Sequence, residues 1–222
     1  MKAIFYKEWL KTRWYLLLAA AVTLGTTAYS LMRIARVADM KGIAHVWEVM
    51  LSRDVVFVDA LEYLPLLVGV LLGLVQFMPE MYHKCLKLTL HLPYKPIRMI
   101  TLMTAFGTAA LAAIFAAACL TMFVYLRGIL APELYGRILL TAAPWFLAGI
   151  AGYLTVAWIC LEPAWKRRVA DMAVAVPMLW IYFLAPAPAA YGAFLPLLAV
   201  FTLLTATLAW LSAARFKEGK QD

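Results

Sequence analysis

The chain has 222 residues, of which 66% are hydrophobic and only 14% charged, and its mean hydropathy is +0.85. A soluble globular domain is roughly 45–50% apolar and about 25% charged, so this composition excludes a soluble enzyme, a disordered chain and a nucleic-acid-binding module. Apolar runs long enough to span a bilayer instead predict an all-α polytopic membrane protein that forms one transmembrane domain over residues 1–222. Its net charge is +8, and the distribution of that charge is more informative than its size.

Six apolar runs are long enough to span a bilayer, for which about 20 residues are needed. The predicted spans cover residues 14–32, 61–78, 99–126, 138–161, 172–191 and 193–214. The fifth run is interrupted by Pro177 and by the pair Pro186 and Pro188. Because almost no chain separates the last two runs around Gly192, they are predicted to form an antiparallel hairpin.

Basic residues are distributed unevenly between the two sides that these six spans define. The segments on the side of the termini hold fourteen of the Lys and Arg residues, and the segments on the opposite side hold six. Short cytoplasmic loops carry the excess of Lys and Arg in membrane proteins. Both termini are therefore predicted to be cytoplasmic, and the chain to lie in the cell (inner) membrane.

The first 13 residues, MKAIFYKEWLKTR, have an amphipathic pattern. On a helical wheel, large apolar side chains fall on one side and charged ones on the other; these are Phe5, Tyr6, Trp9 and Leu10 against Lys7, Glu8 and Lys11. The pattern predicts a helix over residues 1–13 that lies in the membrane interface. It is equally compatible with basic and aromatic residues that only flank and orient the first span.

The stretch between the first two spans, residues 33–60, is the longest hydrophilic segment. Within it Ile43, Trp47 and Met50 recur at roughly helical spacing, which predicts a short interfacial helix on the outer surface. His45 has no second His or Cys at ligand spacing, so we do not expect it to bind a metal.

The segment after the second span carries the candidate site. Pro79 and Glu80 favour a helix start, since proline is tolerated in the first turn and an acid there complements the helix dipole. The helix must stop at Leu92, before Pro93. The candidate residues are the acid that starts this helix, its histidines, lysines and two of its leucines, and the proline that ends it: Glu80, His83, Lys84, Leu86, Lys87, Leu90, His91 and Pro93. A positively charged cytoplasmic loop that happens to be helical is the alternative.

These elements resemble those of the membrane subunits of type-2 ABC exporters (the ABC-2 permease group). Members of that group have six spans with both termini inside, an amphipathic helix before the first span, and a cytoplasmic coupling helix after the second. The coupling helix often begins with Glu and ends in a Leu-x-x-Pro-like turn, and Glu80, Leu90 and Pro93 occupy the matching places. The resemblance implies that the 80–93 helix contacts an ABC ATPase subunit and that two permease subunits form a homodimer or heterodimer.

Small residues in the second span predict close helix packing. Gly69 and Gly73 form a GxxxG pattern, which lets two helix backbones approach closely in a membrane. We expect this packing to be internal to one subunit rather than to join two subunits. Glu62 and Glu162 lie at span ends, where the ordinary expectation is a solvated boundary residue.

The sequence lacks a GxxxxGK[ST] phosphate loop, an HExxH motif and a GxSxG motif, so ATP hydrolysis would require a separate chain. We expect no catalytic, cofactor-binding or metal-binding residues here, and the spans hold no pair of acids such as a proton-coupled carrier would use. The expected function is that of a permease subunit that exports a hydrophobic or amphipathic substrate. The alternative is a non-transporting membrane scaffold or assembly factor.

Overall fold

The computed structural model describes residues 2–82, 96–185 and 187–217. These residues form helices joined by short connections, and no β-strand occurs among them. The α-helices are α1 (Lys2–Lys41), α2 (Ile43–Ser52), α3 (Leu64–Tyr82), α4 (Pro96–Leu126), α5 (Pro132–Leu161), α6 (Trp165–Trp180) and α7 (Leu195–Lys217). Two 3-10 turns, Asp59–Leu61 and Ile181–Phe183, precede α3 and extend α6.

Five helical segments are long and apolar enough to cross a membrane. They are Ile4–Lys41, Asp59–Met81, Ile97–Leu126, Pro132–Leu161 and Leu195–Arg215, which correspond to α1, α3, α4, α5 and α7. A bilayer offers no hydrogen bonds to the backbone, and an α-helix satisfies its own. The expectation of an all-helical, multi-pass membrane protein is confirmed at this level.

The fifth predicted span, 172–191, differs from the helix that the structure has in this part of the chain. Helix α6 begins at Trp165, seven residues before the predicted start, and the 3-10 turn that extends it ends at Phe183. Its first two turns carry Lys166, Arg167, Arg168 and Asp171, so its apolar part is shorter than in the other five. The tight hairpin around Gly192 is likewise replaced by a longer connection, because α7 begins only at Leu195.

The N-terminal amphipathic segment is not a separate helix. It forms the first turns of α1, which runs without interruption for 40 residues, or about 60 Å at 1.5 Å per residue. No proline or glycine falls between residues 4 and 24 to end a helix there. Thr12 also donates a hydrogen bond of 2.8 Å to the Glu8 carbonyl, as a hydroxyl does inside a continuous helix.

Helix α5 is the centre of the bundle and contacts α3, α4, α6 and α7. The backbones of α3 and α5 approach each other closely. A Cβ atom on Gly69 would overlap the carbonyl oxygen of Gly149, and one on Gly73 would lie 2.9 Å from the side chain of Val156. Glycine at these positions therefore permits an approach that any larger residue would prevent.

The short helix predicted between the first two spans is present as α2. Its buried residues, Val46 and Met50, lie four positions apart on one face, as an amphipathic helix requires. This face belongs to the same hydrophobic core as Ile34 of α1 and Leu61. Helix α2 thus packs onto the bundle at the end where α1 finishes and α3 begins.

Candidate functional site

The beginning of α1 is joined to the end of α3 by charged side chains. The Glu80 carboxylate accepts Lys7 Nζ at 2.9 Å and Lys11 Nζ at 3.0 Å, both on Oε1. Only 3% of the Glu80 surface is exposed. A buried carboxylate is costly unless cations or hydrogen-bond donors compensate it, so these two lysines hold Glu80 in its charged form against the bundle.

The same group of polar residues continues into the bundle. Gln76 Nε2 donates to the Met103 carbonyl of α4 at 2.9 Å, and the Tyr153 hydroxyl of α5 donates to Gln76 Oε1 at 2.8 Å. Gln76 and Tyr153 are fully buried. Lys7, Glu8, Lys11, Gln76, Glu80 and Tyr153, here called the terminal-end network, thus connect four helices.

Glu8 is the least compensated member of this network. It is fully buried, and its nearest cation is Lys11, 3.8 Å from Oε2. Neither of its carboxylate oxygens accepts a hydrogen bond from the described part of the chain, and the same holds for Glu80 Oε2. Lys11 is therefore shared by two neighbouring carboxylates, and Lys7 pairs with Glu80.

Pro79 lies within α3, close to another contact of the network. A proline inside a helix has no N–H to donate to the carbonyl four residues earlier, which here is that of Val75. The next carbonyl, that of Gln76, accepts a hydrogen bond from Lys11 Nζ. The lysine of α1 thus contacts the backbone of α3 in the turn before the proline.

These observations change the expected position of Glu80. The sequence predicts a new helix that begins at Pro79 and Glu80, but α3 continues through both residues to Tyr82. Glu80 is therefore a buried charged residue in the last turn of α3. The other candidate residues of that segment, His83, Lys84, Leu86, Lys87, Leu90, His91 and Pro93, lie outside the described residues.

A further buried charge, outside the terminal-end network, lies at the end of α5. Glu162 is fully buried, not solvated as its position at a span end suggests. Its Oε2 accepts the Ser212 hydroxyl at 2.6 Å and Arg215 Nη1 at 3.1 Å, both from α7. Its backbone carbonyl accepts Arg168 Nη2 of α6 at 2.7 Å. The carboxylate of Glu162 thus joins the end of α5 to the end of α7, and its backbone carbonyl joins it to the start of α6.

Asp171 lies on α6 near this cluster, one residue before the predicted span 172–191. Its Oδ2 is buried and accepts no hydrogen bond from the described residues. Together with the terminal-end network, the Glu162 cluster places most of the buried charge at one end of the bundle, here called the terminal end.

The opposite end, here called the far end, is organised by one face of α5. Arg137 and Thr141 lie four residues apart, so their side chains point the same way. Arg137 donates to the Met50 carbonyl at 3.2 Å and pairs with Asp54. Thr141 Oγ1 accepts the backbone N–H of Ala189 at 2.9 Å. One face of α5 thus holds both the segment after α2 and the connection between α6 and α7.

A cavity of about 490 Å³ lies between these two anchored segments. Trp145 and Pro144, one turn beyond Thr141, belong to its lining. Tyr191 braces the connecting segment, since its hydroxyl donates to the Ile181 carbonyl at 2.7 Å and accepts the Ala185 N–H at 3.1 Å. This cavity, the far-end cavity, is therefore a formed feature of the fold.

The backbone around the far-end cavity is strained. Among the described residues, the non-glycine residues with positive φ are Asp54 (54°), Phe57 (53°) and Ala189 (59°), and Asp54 and Ala189 line the cavity. Such conformations cost roughly 1–3 kcal/mol each and persist only where surrounding contacts impose them. The contacts of Arg137 and Thr141 supply that constraint.

The described residues contain no group of three His, Cys, Asp or Glu side chains that could hold a metal ion. A scan against protein-family models, a search of curated proteins and a search of solved structures each returned no match for this chain. Its function must therefore be inferred from the arrangement of its own residues.

Proposed function

We propose that the chain is the permease subunit of a type-2 ABC exporter, with six membrane crossings and both termini in the cytoplasm. In this proposal it forms the path for a hydrophobic or amphipathic substrate through the cell (inner) membrane, as one of two permease subunits. ATP binds to a separate ABC ATPase, which contacts the segment that follows α3, over residues 83–93. The observation that carries the proposal is the terminal-end network, which fixes the end of α3 where that segment begins.

The contacts between helix ends support six crossings. Lys7 and Lys11 near the start of α1 meet Glu80 near the end of α3, and Gln76 meets Met103 near the start of α4. The cluster of Glu162 then joins the end of α5, the start of α6 and the end of α7. Along the chain, the helices thus alternately begin and end at the terminal end of the bundle. This alternation is expected if α6 and its 3-10 turn cross the membrane in addition to the other five spans.

The length of α6 is compatible with that crossing. Its 16 α-helical residues and the three of its 3-10 turn extend about 30 Å at roughly 1.5 and 2.0 Å per residue. The part that follows Arg168 extends about 24 Å, which is less than a typical hydrocarbon core of about 30 Å. A span shorter than the core is accommodated by local thinning of the bilayer. The basic side chains of Lys166, Arg167 and Arg168 would then lie at the cytoplasmic surface, in agreement with the excess of cations on that side.

The terminal-end network is suited to transmit movement from a cytoplasmic partner. It connects α3 to α1 through Glu80, and α3 to α4 and α5 through Gln76 and Tyr153. A force applied to the chain just after Tyr82 would act on three other helices at once, because buried polar contacts break only at high cost. An ATPase docked on the segment after α3 would thus act on the whole bundle.

Capture of the partner ATPase tests the proposal. The tagged chain is purified from native membranes in mild detergent, and co-purifying proteins are identified by mass spectrometry. We expect an ABC ATPase with the unaltered chain, and its loss with Leu86→Asp and Leu90→Asp together, because two carboxylates would prevent these leucines from filling an apolar groove. The matched control places Asp at Ile43 and Leu51, which are exposed on α2 and should leave capture intact.

Two results would contradict the proposal. Absence of any ABC ATPase beside the unaltered chain would favour a non-transporting scaffold, especially if other membrane proteins co-purify. Equal capture by the Leu86→Asp/Leu90→Asp variant would show that the segment after α3 is not the contact.

The topology is tested separately by cysteine labelling in sealed cells, in a variant without the native cysteines. We expect a membrane-impermeant reagent to modify cysteine at Ala44 and Glu133 but not at Thr89 or Arg167. Modification of the Thr89 position from outside would contradict six crossings with cytoplasmic termini.

A further inference from the structure

The far-end cavity has the volume and walls of a ligand site. Its volume of about 490 Å³ falls within the range of roughly 300–1,000 Å³ that is usual for small-molecule pockets. Its two sides are held by Arg137 and Thr141 on α5, and Tyr191 braces the connecting segment. A pocket whose walls are fixed in this way needs little reorganisation before it binds a ligand.

The charged residues of the lining are all acidic. Three carboxylates contribute to it, those of Asp54, Asp59 and Glu62, and no Lys or Arg does. Arg137 compensates Asp54 from outside the lining. In the described part of the chain, Asp59 and Glu62 form no salt bridge. Two formal negative charges therefore remain available to a ligand.

The rest of the lining is largely aromatic and aliphatic. Tyr63, next in sequence to Glu62, stacks on Phe183 with ring centroids 5.1 Å apart, and Trp145 and Tyr191 complete the aromatic part. Aromatic faces attract cations and also bury apolar surface. Carboxylates beside such faces match a molecule that combines a positive charge with an apolar body.

From this we infer that the far-end cavity binds an amphipathic organic cation, its charged group beside Asp59 and Glu62 and its apolar part against Tyr63, Trp145 and Phe183. The binding follows from the cavity itself. That the bound cation is the exported substrate, held before release, rests on the proposed function.

A pair of charge-inverted probes of equal shape tests the inference. The purified chain is placed in nanodiscs of zwitterionic lipid, and binding of tetraphenylphosphonium is measured by equilibrium dialysis, with empty nanodiscs subtracted. Tetraphenylborate, which has nearly the same size and the opposite charge, is measured in the same way. We expect saturable binding of the cation, with about one site per chain, and none of the anion.

Substitutions locate the site. Asp59→Asn with Glu62→Gln should weaken binding of tetraphenylphosphonium roughly tenfold, since two carboxylates that face a partly desolvated cation are lost. The control is Asp39→Asn with Glu133→Gln, which removes the same charge from two exposed residues outside the lining and should leave affinity unchanged. Binding is compared only between preparations of the two variants that are equally monodisperse, so that misfolding does not account for a difference.

Three results would overturn the inference: no saturable binding of the cation, equal saturable binding of tetraphenylborate, or an affinity for tetraphenylphosphonium that Asp59→Asn/Glu62→Gln leaves unchanged. The assay requires neither an ATPase nor nucleotide. If the chain fails to bind the cation while an ABC ATPase still co-purifies, the inferred ligand site is rejected and the proposed function is not. If the chain binds the cation but no ABC ATPase co-purifies, only the proposed function is rejected.

Discussion

The two ends of the bundle are both held by charged side chains, but in opposite ways. At the terminal end the shared carboxylate is buried, with the Glu80 side chain 4% and the Lys11 side chain 19% exposed. At the far end the ion pair faces solvent, with Arg137 28% and Asp54 61% exposed. Buried charges must be paired or they destabilise the fold, whereas exposed pairs contribute little. The terminal end is therefore built to keep helices together, and the far end to hold loops around a cavity.

Removal of both cations from the terminal-end network should have the largest effect on stability. Lys7→Met with Lys11→Met leaves Glu80 and Glu8 buried without a compensating charge, which costs about 3–5 kcal/mol when one side of a buried ion pair is lost. Thermal unfolding of the detergent-purified variant should show a correspondingly large fall in Tm. Lys41→Met with Lys166→Met, at two exposed positions outside the network, is the matched control. An equal Tm for the two double variants would show that the buried pairs do not stabilise the terminal end.

The contact between α3 and α5, which joins the two ends, should be the next most sensitive. Gly69→Ala places a Cβ against the Gly149 carbonyl, and overpacking of this kind costs about 1–3 kcal/mol. Gly25→Ala is the control, because nothing lies within 4 Å of a Cβ there and alanine is the better helix former. We expect a lower Tm for the first variant and an unchanged or higher Tm for the second. An unchanged Tm for Gly69→Ala would show that the Gly149 carbonyl leaves room for a Cβ at position 69.

Loss of a single hydroxyl from the terminal-end network should have a smaller but measurable effect. Tyr153→Phe keeps the ring that packs near Phe77 and removes the donor to Gln76 Oε1. An unsatisfied buried acceptor costs about 1–2 kcal/mol. Tyr29→Phe, at an exposed position of α1, should be neutral in the same unfolding measurement. If both variants unfold at the temperature of the unaltered chain, the Tyr153 hydroxyl adds nothing to the network.

The sequence was sufficient for the helices but not for the contacts between them. In the described part of the chain, apolar runs predicted the long helices, and the spacing of Ile43, Trp47 and Met50 predicted α2, although its buried residues are Val46 and Met50. The fifth predicted span began after the helix that contains it, because its start was chosen by hydropathy and the charged residues Lys166 to Asp171 are not apolar. Charged residues such as Lys and Arg nevertheless extend a helix readily. The helix predicted over residues 1–13 forms the first turns of α1 rather than an element of its own, since polarity changes there without any signal that ends a helix.

The buried charges could not be found from sequence because their partners are distant in it. Lys11 and Glu80 are 69 residues apart, and Ser212 and Glu162 are 50 apart. Both glutamates also lie near span ends, where a solvated residue and a buried, paired residue have the same local pattern. Without the three-dimensional arrangement, Glu8 and Lys11 could be assigned only to the polar face of an amphipathic helix.

Neutralisation of the exposed ion pair at the far end should have the smallest effect. Asp54→Asn removes the charge that faces Arg137 but keeps a side chain that tolerates the positive φ of 54° at this position, so it isolates electrostatics from backbone strain. Arg137 also retains its hydrogen bond to the Met50 carbonyl. We expect a loss of about 1 kcal/mol or less, and the difference should shrink further in 1 M salt, where the Debye length is about 3 Å. Asp54→Ala, which also removes the residue type suited to this φ, should cost more than Asp54→Asn at every salt concentration. A salt-independent loss for Asp54→Asn as large as that of the Lys7→Met/Lys11→Met variant would mean that the far end is held by charge as firmly as the terminal end.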